Sequence, residues 1–449
     1  MARALVIGLA ETGIAVTRVL RAEGWSVVVV EDAPAASPVY AARAEAARAV
    51  GADVVESPDA SRSAELAAGA DVVVPSPLVR ATHPAVAAAR AERVPVRSEI
   101  DLAAERARVP IVGVTGTNGK TTVTSLTAAM LIASGVRAET AGNIGRPLID
   151  AVADATDVLV AEVSSFQLAF STTLRPQVAV VLAITPDHLD WHDSFEQYAA
   201  AKARIFAQQS GEDLVVFDAD DPTARRVCAA APARRIGVSL RADARDCYRV
   251  VDDALVYPDG RVLAPLSSMR RSLLHDRTNA LAAAAAAFEV GATSEGARAA
   301  LATYATMPHR VALVGEASGV RWYDDSKATN PDATLRAAMS FDSVVLLAGG
   351  RNKGLDLAVL RTAAPRLRGV VAFGESQREV VAAFDGTSIP VVEVEDMHGA
   401  VRAADTIARA GDVVLLSPAC ASFDAYPGYG ARGDDFAAEV RTLTEERRR

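Results

Sequence analysis

Ile111-Val-Gly-Val-Thr-Gly-Thr-Asn-Gly-Lys-Thr-Thr122 decides how the rest of this 449-residue chain is read: an apolar strand empties into a turn of small residues, and a helix opens behind it. Such a turn is a phosphate cradle. Gly116 and Gly119 let backbone N–H groups converge on phosphate oxygens, Lys120 supplies a point charge, and the Thr121 hydroxyl is placed to ligate the magnesium of a nucleotide. Strict P-loop spacing puts glycine where Val114 stands, so this is a variant form. A tight strand-to-helix turn without a ligand is the alternative, and it leaves unexplained why Lys and Thr follow the last glycine in the required order.

Outward from the cradle, strands are expected at Ile111–Val114, Asp157–Val163, Val178–Ile184 and Leu214–Phe217, with hairpin material over Cys247–Pro265 and a helix over Thr278–Phe288. Toward the N-terminus, Ala4–Gly8, Thr12–Ala22 and Val27–Glu31 alternate strand, helix and strand, and Asp71–Val74 is a further buried strand broken by Ser76-Pro77. The first turn, Gly8-Leu-Ala-Glu-Thr-Gly13, is not GxGxxG, which weakens a dinucleotide reading and leaves a nucleotide-phosphate site there open. Near Met307-Pro308 the chain restarts, with strands at Val311–Val314, Val344–Leu347, Val370–Phe373 and Val413–Leu416 and helices near Asp332–Ala338, Glu375–Ala383 and Gly399–Ala408. The expected fold class is α/β in three domains. These are an N-terminal Rossmann-like domain over 1–106, a central P-loop mononucleotide-binding sheet over 107–307, and a C-terminal Rossmann-like domain over 308–449.

Half the residues are hydrophobic and 23% are charged, enough for a large core in a chain of this length. A net charge of -9 with scattered Lys and Arg argues against nucleic acid or a membrane as partner, so an anionic ligand must be held locally. Three cysteines without CxxC spacing fit a reducing compartment and imply no structural zinc. No apolar run approaches the ~18 residues that span a bilayer, and the expected location is the cytoplasm.

Several constellations carry chemistry. Asp157-Val-Leu-Val-Ala-Glu162 is a buried strand whose last residue aims a carboxylate toward the phosphates, suited to holding magnesium, and Ser164 and Gln167 follow as hydrogen-bonding groups for an organic substrate. Ile184-Thr-Pro-Asp-His-Leu-Asp-Trp-His192 places His188 just past the same sheet as a reader of metal or phosphate, against the commoner structural histidine. Lys202 falls on a helix expected over Phe195–Gln208, where a surface lysine is the default; Asp276 or Thr278 could simply cap the helix that follows them. Three polar turns follow strands in the last third: Trp322-Tyr-Asp-Asp-Ser-Lys-Ala-Thr-Asn-Pro331, Gly349-Gly-Arg-Asn-Lys-Gly354 and Ser417-Pro-Ala-Cys-Ala-Ser-Phe-Asp424. They are expected to converge on one sheet edge, where Lys327, Lys353 and Ser422 supply cations and donors for carboxylates.

Taken together, TGTNGKTT, GNIG at Gly142–Gly145, EVSSFQL, DHLDWH, the helical lysine, DDSKATNP, AGGRNKG and SPACASFD resemble the Mur ligases, over all three domains and most strongly in the last two. Two of these signatures, DDSKATN and SPACASFD, resemble those of the glutamate-adding branch. The resemblance implies ATP-driven amide synthesis in peptidoglycan assembly. The carboxylate of UDP-N-acetylmuramoyl-L-alanine would attack the γ-phosphate to give an acyl phosphate and ADP, and the amine of D-glutamate would then displace phosphate. It further implies ATP and magnesium, with two ions, as cofactors, small-molecule substrates as partners, and a monomer.

By match to those motifs, Lys120, His188 and Lys202 would be catalytic. Gly116, Thr117, Asn118, Gly119, Lys120, Thr121 and Thr122 would bind ATP together with Asp276, Asn279, Arg310, Asp325 and Lys327. Thr121, Glu162, His188 and Lys202 would serve the metal, Lys202 after carbamylation, which turns an ammonium into a carboxylate-like ligand. Asn143, Ser164 and Gln167 would contact the muramoyl-alanine part, with Glu11, Thr12 and Asp32 as candidates for the uridine end, while Thr329, Lys353, Ser422 and Phe423 would grip glutamate. Departures from the pattern gather near the N-terminus, at Glu31-Asp32-Ala33-Pro34, Ser76-Pro77-Leu78 and Ser98-Glu-Ile-Asp101, and Asp276 stands where asparagine is usual. Two other functions compete: an ATP-dependent amide ligase with another acceptor, such as an L-glutamate-adding Mur ligase or a folylpolyglutamate synthase-like enzyme, and a non-catalytic nucleotide sensor that kept the fold.

Overall fold

Apolar runs too short for helices and bounded by turn residues become the strands of three sheets in a computed structural model that describes residues 1–32 and 38–448. Ala33 and Pro34 of the departing N-terminal turn lie outside the described residues. In the first sheet the order is Asp53–Glu56, Ser26–Glu31, Arg3–Ile7, Val72–Pro75, all parallel. The second has nine strands. Its order from one edge is Ala138–Gly142, Val158–Glu162, Ile111–Thr115, Val178–Val181, Leu214–Asp218, Arg234–Ser239, Cys247–Val251, Ala254–Val256, Val262–Pro265, and only the last two junctions are antiparallel. Ile111–Thr115 thus lies where the order reverses, the place at which open α/β sheets leave a crevice for ligands.

The third sheet runs Ala312–Ala317, Val320–Asp324, Val413–Ala419, Val344–Gly349, Leu367–Phe373, Val391–Glu393. Its first pair is an antiparallel hairpin, a pairing not expected from the sequence, turned by Ser318 and Gly319 at φ 52° and 76°, as two-residue hairpin loops require. The expected convergence of the three polar turns follows from strand order. Val320–Asp324, Val413–Ala419 and Val344–Gly349 are adjacent, so the turns after them leave the sheet side by side.

Three expected elements change length for identifiable reasons. The strand expected over Val178–Ile184 leaves the ladder after Val181, because Ala183 O accepts from Thr117 N (2.8 Å) and Ile184 N donates to Asp221 (3.2 Å), so these residues buttress the phosphate loop instead. The helix expected over Phe195–Gln208 ends at Ala203 and tightens into a 3₁₀ turn, Arg204–Phe206, that satisfies its last carbonyls. The helix expected from Thr278 starts at Leu274, so Asp276 and Thr278 lie inside it and are not its cap.

By packing, the chain gathers in two compact units. The first comprises Met1–Ile184, Glu196–Ser268 and Asn279–Thr303; the second comprises Thr185–Phe195, Met269–Thr278 and Tyr304–Arg449. Among the described residues no helix is long and apolar enough to cross a membrane.

Within the first unit, helix Glu99–Arg106 is anchored through two buried carboxylates. Asp101 accepts from Ser171 Oγ (2.6 Å) and from the backbone N–H groups of Thr172, Thr173 and Leu174, while Glu99 Oε1 accepts from Ile149 N (2.7 Å). Burial pushes the Glu99 carboxyl up to about 7, and its Oε2 has no partner. A raised acid stays protonated in the fold while the unfolded chain ionises, so stability falls as pH rises from about 4.5 to about 7 and is level above that. Gln copies the neutral acid. Glu99→Gln is therefore expected to be nearly neutral at pH 4.5 and to stabilise by on the order of 1–3 kcal/mol at pH 8. Thermal melts at the two pH values measure the difference, and a gain independent of pH would contradict this account.

Candidate active site

The phosphate loop is shaped by its glycines. Gly119 has φ 83°, and a Cβ there would lie 2.6 Å from Asn279 Oδ1; at Gly116 a Cβ would lie 2.6 Å from Leu182 Cβ. Close approach of Gly119 to Asn279 joins two of the expected ATP residues in the first unit. Lys120, Thr121 and Thr122 open helix Lys120–Ala133, whose N-terminal amides face the loop with no side-chain cap. Lys120 Nζ donates to Gly116 O and Thr117 O, both at 3.0 Å, so the ammonium lies folded over the cradle.

A second amine reaches the same carbonyl. Lys202 is 1% exposed, not the surface lysine its helix would suggest, and its Nζ donates to Gly116 O at 2.8 Å while lying 4.5 Å from the Tyr198 ring centroid. Tyr198 OH in turn meets Thr117 Oγ1 at 3.0 Å. Tyr198 escaped the sequence reading, although its i, i+4 spacing from Lys202 puts both on one helix face.

Glu162 ends its strand one place over from the loop, 3% exposed. Its Oε1 accepts from Asn143 Nδ2 at 2.8 Å, and its Oε2 is buried without a hydrogen-bond partner. An orphaned buried carboxylate oxygen beside a phosphate cradle suits a hard divalent cation. Among the described residues there is no cluster of three or more His, Cys, Asp or Glu that would hold a metal alone, so oxygens from Thr121, a modified lysine or the nucleotide must complete any such site. Ser164 and Gln167 first serve their own helix as a reciprocal capping box, with Ser164 N to Gln167 Oε1 at 2.9 Å and Gln167 N to Ser164 Oγ at 3.2 Å.

At the carboxyl ends of the first sheet lies a cavity of about 770 Å³ lined by Gly8, Leu9, Glu31, Asp32, Arg80 and His83, among others. Asp32 thus falls on a pocket, paired with His83 Nε2 at 3.0 Å, and Glu31 Oε2 accepts from Leu9 N at 2.7 Å. Glu11 and Thr12 sit in the first turn of the adjoining helix and do not line the cavity.

The remaining candidates belong to the second unit. Arg271, which the sequence reading passed over, clasps Asp276 through Nε and Nη2, both at 2.7 Å, and donates to the carbonyls of Arg310 and Val311. Asp325 is buried, which pushes its carboxyl up to about 7 although Ser417 Oγ donates to it at 2.8 Å. Lys327 Nζ lies 3.8 Å from the Tyr429 ring centroid. Thr329 is half-buried, Ser422 buried and Phe423 64% exposed. Lys353 Nζ is held by Asp187 at 2.6 Å, and Asp187 also accepts from Asn330 at 3.1 Å. Burial would raise the Asp187 carboxyl, but Lys353 and its neighbours hold it below the usual carboxylate value. A carboxylate ligand of Lys353 must therefore share it with Asp187. His188, next in the chain, has a left-handed backbone at φ 55°, a strained conformation of the kind that collects at functional sites.

Residues 114–287 match the Mur ligase middle domain, and residues 309–420 match the Mur ligase glutamate ligase domain. Among similar sequences, UDP-N-acetylmuramoylalanine--D-glutamate ligase of Frankia casuarinae is 42% identical over 97% of this chain and 93% of its own length. The protein of the same name from Desulfatibacillum aliphaticivorans is 39% identical over 98% of both. Two solved structures share the fold. UDP-N-acetylmuramate-alanine ligase MurC of Thermotoga maritima gives a TM-score of 0.58 at 18% identity, covering 99% of this chain and 100% of that one. MurF ligase of Thermotoga maritima in complex with ADP gives 0.60 at 18% identity, covering 94% and 96%.

Proposed function

We propose that this chain, which belongs to the Mur ligase family, is the ATP-dependent ligase that joins D-glutamate to UDP-N-acetylmuramoyl-L-alanine in peptidoglycan synthesis. The observation that carries the reading is the full-length likeness to D-glutamate ligases, coupled to a phosphate cradle with two lysines on one loop carbonyl and an orphaned carboxylate oxygen beside it.

The chemistry follows from those groups. The alanyl carboxylate attacks the γ-phosphorus, the bond to the ADP oxygen breaks, and an acyl phosphate forms; the neutral amine of D-glutamate then attacks the acyl carbon, phosphate departs with the bonding pair, and the amine proton is lost. Lys120 swings from the loop carbonyls onto phosphate oxygens, and the backbone of Gly116–Gly119 with the helix behind it receives the rest of their charge. Thr121, Glu162 and a carbamylated Lys202 would hold magnesium, which when bound neutralises phosphate charge, and His188 is the candidate for a second ion. Asn279, Asp276, Arg310, Asp325 and Lys327 serve ATP, Asn143, Ser164 and Gln167 the muramoyl part, and the cavity with Asp32 the uridine end. Thr329, Lys353, Ser422 and Phe423 bind glutamate. The same reading takes 1–106, 107–307 and 308–449 as the domains and the cytoplasm as the compartment, with a monomer as the working state.

Phosphate release with UDP-N-acetylmuramoyl-L-alanine and ATP, run across D-glutamate, L-glutamate, L-alanine and meso-diaminopimelate, tests the assignment. Turnover is expected with D-glutamate. Turnover with diaminopimelate and none with either glutamate would replace it with a sister ligase, and no release with any amino acid would favour the nucleotide sensor.

A further inference from the structure

Arg432 is fully buried on the C-terminal helix Tyr429–Arg448, and among the described residues no carboxylate forms an ion pair with it. All of its side-chain hydrogen bonds go to the polar turns. Nε donates to Ser326 Oγ (2.9 Å), Nη2 to Ser326 O (2.9 Å) and Cys420 O (3.1 Å), and Nη1 to Ala421 O (3.2 Å). The turn of Gly349–Gly354 leans on the same group: a Cβ at Gly350 would lie 2.9 Å from Arg432 Nη1, and Arg351 and Ala421 exchange two backbone hydrogen bonds at 2.9 Å. Tyr429, one helical turn earlier, accepts from Ser326 Oγ through its carbonyl (2.8 Å) and lays its ring against Lys327.

One guanidinium therefore ties together the two turns that carry Asp325, Lys327, Thr329, Ser422 and Phe423, and packs against the third, which carries Lys353. Burial pulls the Arg432 group down to about 10, so it remains charged at neutral pH. Asp424 and Asp324 are near enough to favour its charge, but burying an arginine without a directly paired carboxylate still costs stability that an apolar side chain of similar volume would not, so cohesion of the fold alone does not account for it. Its planar fork fixes direction as well as distance, which an ammonium cannot reproduce.

We infer that Arg432 is a positioning residue for the incoming amino acid: by fixing Ser326 against Cys420 and Ala421 it holds the donors of Ser422-Phe423 in register with Thr329, and so sets affinity for glutamate more than affinity for ATP. The inference rests on the glutamate assignment made above. The full-length chain with Arg432→Lys is the test, read as KM for each substrate beside the wild type. Losing charge-assisted hydrogen bonds from this site is expected to raise KM for D-glutamate by about 10- to 100-fold. KM for the nucleotide-sugar substrate, which uses none of these turns, should stay within about twofold, and any rise in KM for ATP, whose assigned residues Asp325 and Lys327 lie on the first of the turns, should be well below the rise for D-glutamate.

Should Arg432→Lys fail to fold, Ser326→Ala removes the acceptor of Nε and is expected to raise KM for D-glutamate by about 3- to 10-fold on its own. An unchanged KM for the amino acid with only a lower melting temperature, in whichever variant folds, overturns the inference. So does a rise shared equally by all three substrates. If the wild type uses a different amino acid from the panel, the glutamate assignment falls while KM for that amino acid still reports on Arg432; if it uses none, both fall.

Discussion

Replacing Lys120 by alanine is expected to lower ATP-dependent turnover by about 10³-fold or more while the melting temperature holds. The fold should survive because the side chain is half-exposed and the two loop carbonyls to which its Nζ donates can be satisfied by water in its place. The loop conformation is set elsewhere, by the glycines at 116 and 119 and by the bond from Thr117 N to Ala183 O. Lys120 is the cation that follows the last glycine of the loop, and the chemical step gathers charge on the equatorial and leaving oxygens, so the loss should fall on kcat more than on the binding of ATP. Lys120→Arg is expected to fare little better, since a planar fork cannot fold into a point-charge site. Phosphate release beside a nucleotide-binding isotherm separates the two effects. Undiminished turnover in Lys120→Ala would remove the phosphate loop from the mechanism.

That lysine was legible because its chemistry is local: strand, glycines, lysine and threonine occupy one contiguous stretch, and parallel pairing on both sides of Ile111–Thr115 put the stretch at the reversal of strand order. The polar turns of the last third were legible for the same reason. What sequence did not supply were groups that act across long separations without a motif of their own. Arg432 meets Ser326 over 106 positions, in a helix of mixed charge with no turn signal, and Arg271 reaches Arg310 over 39. Element ends were misjudged where a backbone group had a tertiary partner. Ala183 belongs to the apolar run after Gln177, yet its carbonyl serves Thr117 and not a neighbouring strand. The N-terminal candidates divided for a related reason: Asp32 lies on the cavity because it ends a strand, whereas Glu11 and Thr12 had already turned into a helix.

Lys202 presents the sharper chemical question, because an ammonium in this place opposes the function given to it. Two lysine amines donate to one carbonyl, that of Gly116, at 2.8 and 3.0 Å, and their mutual repulsion grows in a low-dielectric interior. Adding carbon dioxide to the Lys202 ammonium forms an N–C bond, releases two protons and leaves a carbamate, so repulsion becomes attraction and an oxygen ligand is created at the phosphate loop. Lys202→Met keeps the length and apolar stem of the side chain but cannot be carbamylated. It is expected to cost at least about 10²-fold in turnover and to raise the magnesium concentration needed for half-activity, with little change in melting temperature because the apolar stem keeps its packing against Tyr198. The wild type should lose activity in carbon-dioxide-free buffer and regain it with bicarbonate, and ¹³C-bicarbonate should label it at a carbamate resonance that Lys202→Met lacks. Activity indifferent to bicarbonate, with no such resonance, would leave Lys202 as a cation on the phosphate loop and move the metal's third ligand elsewhere.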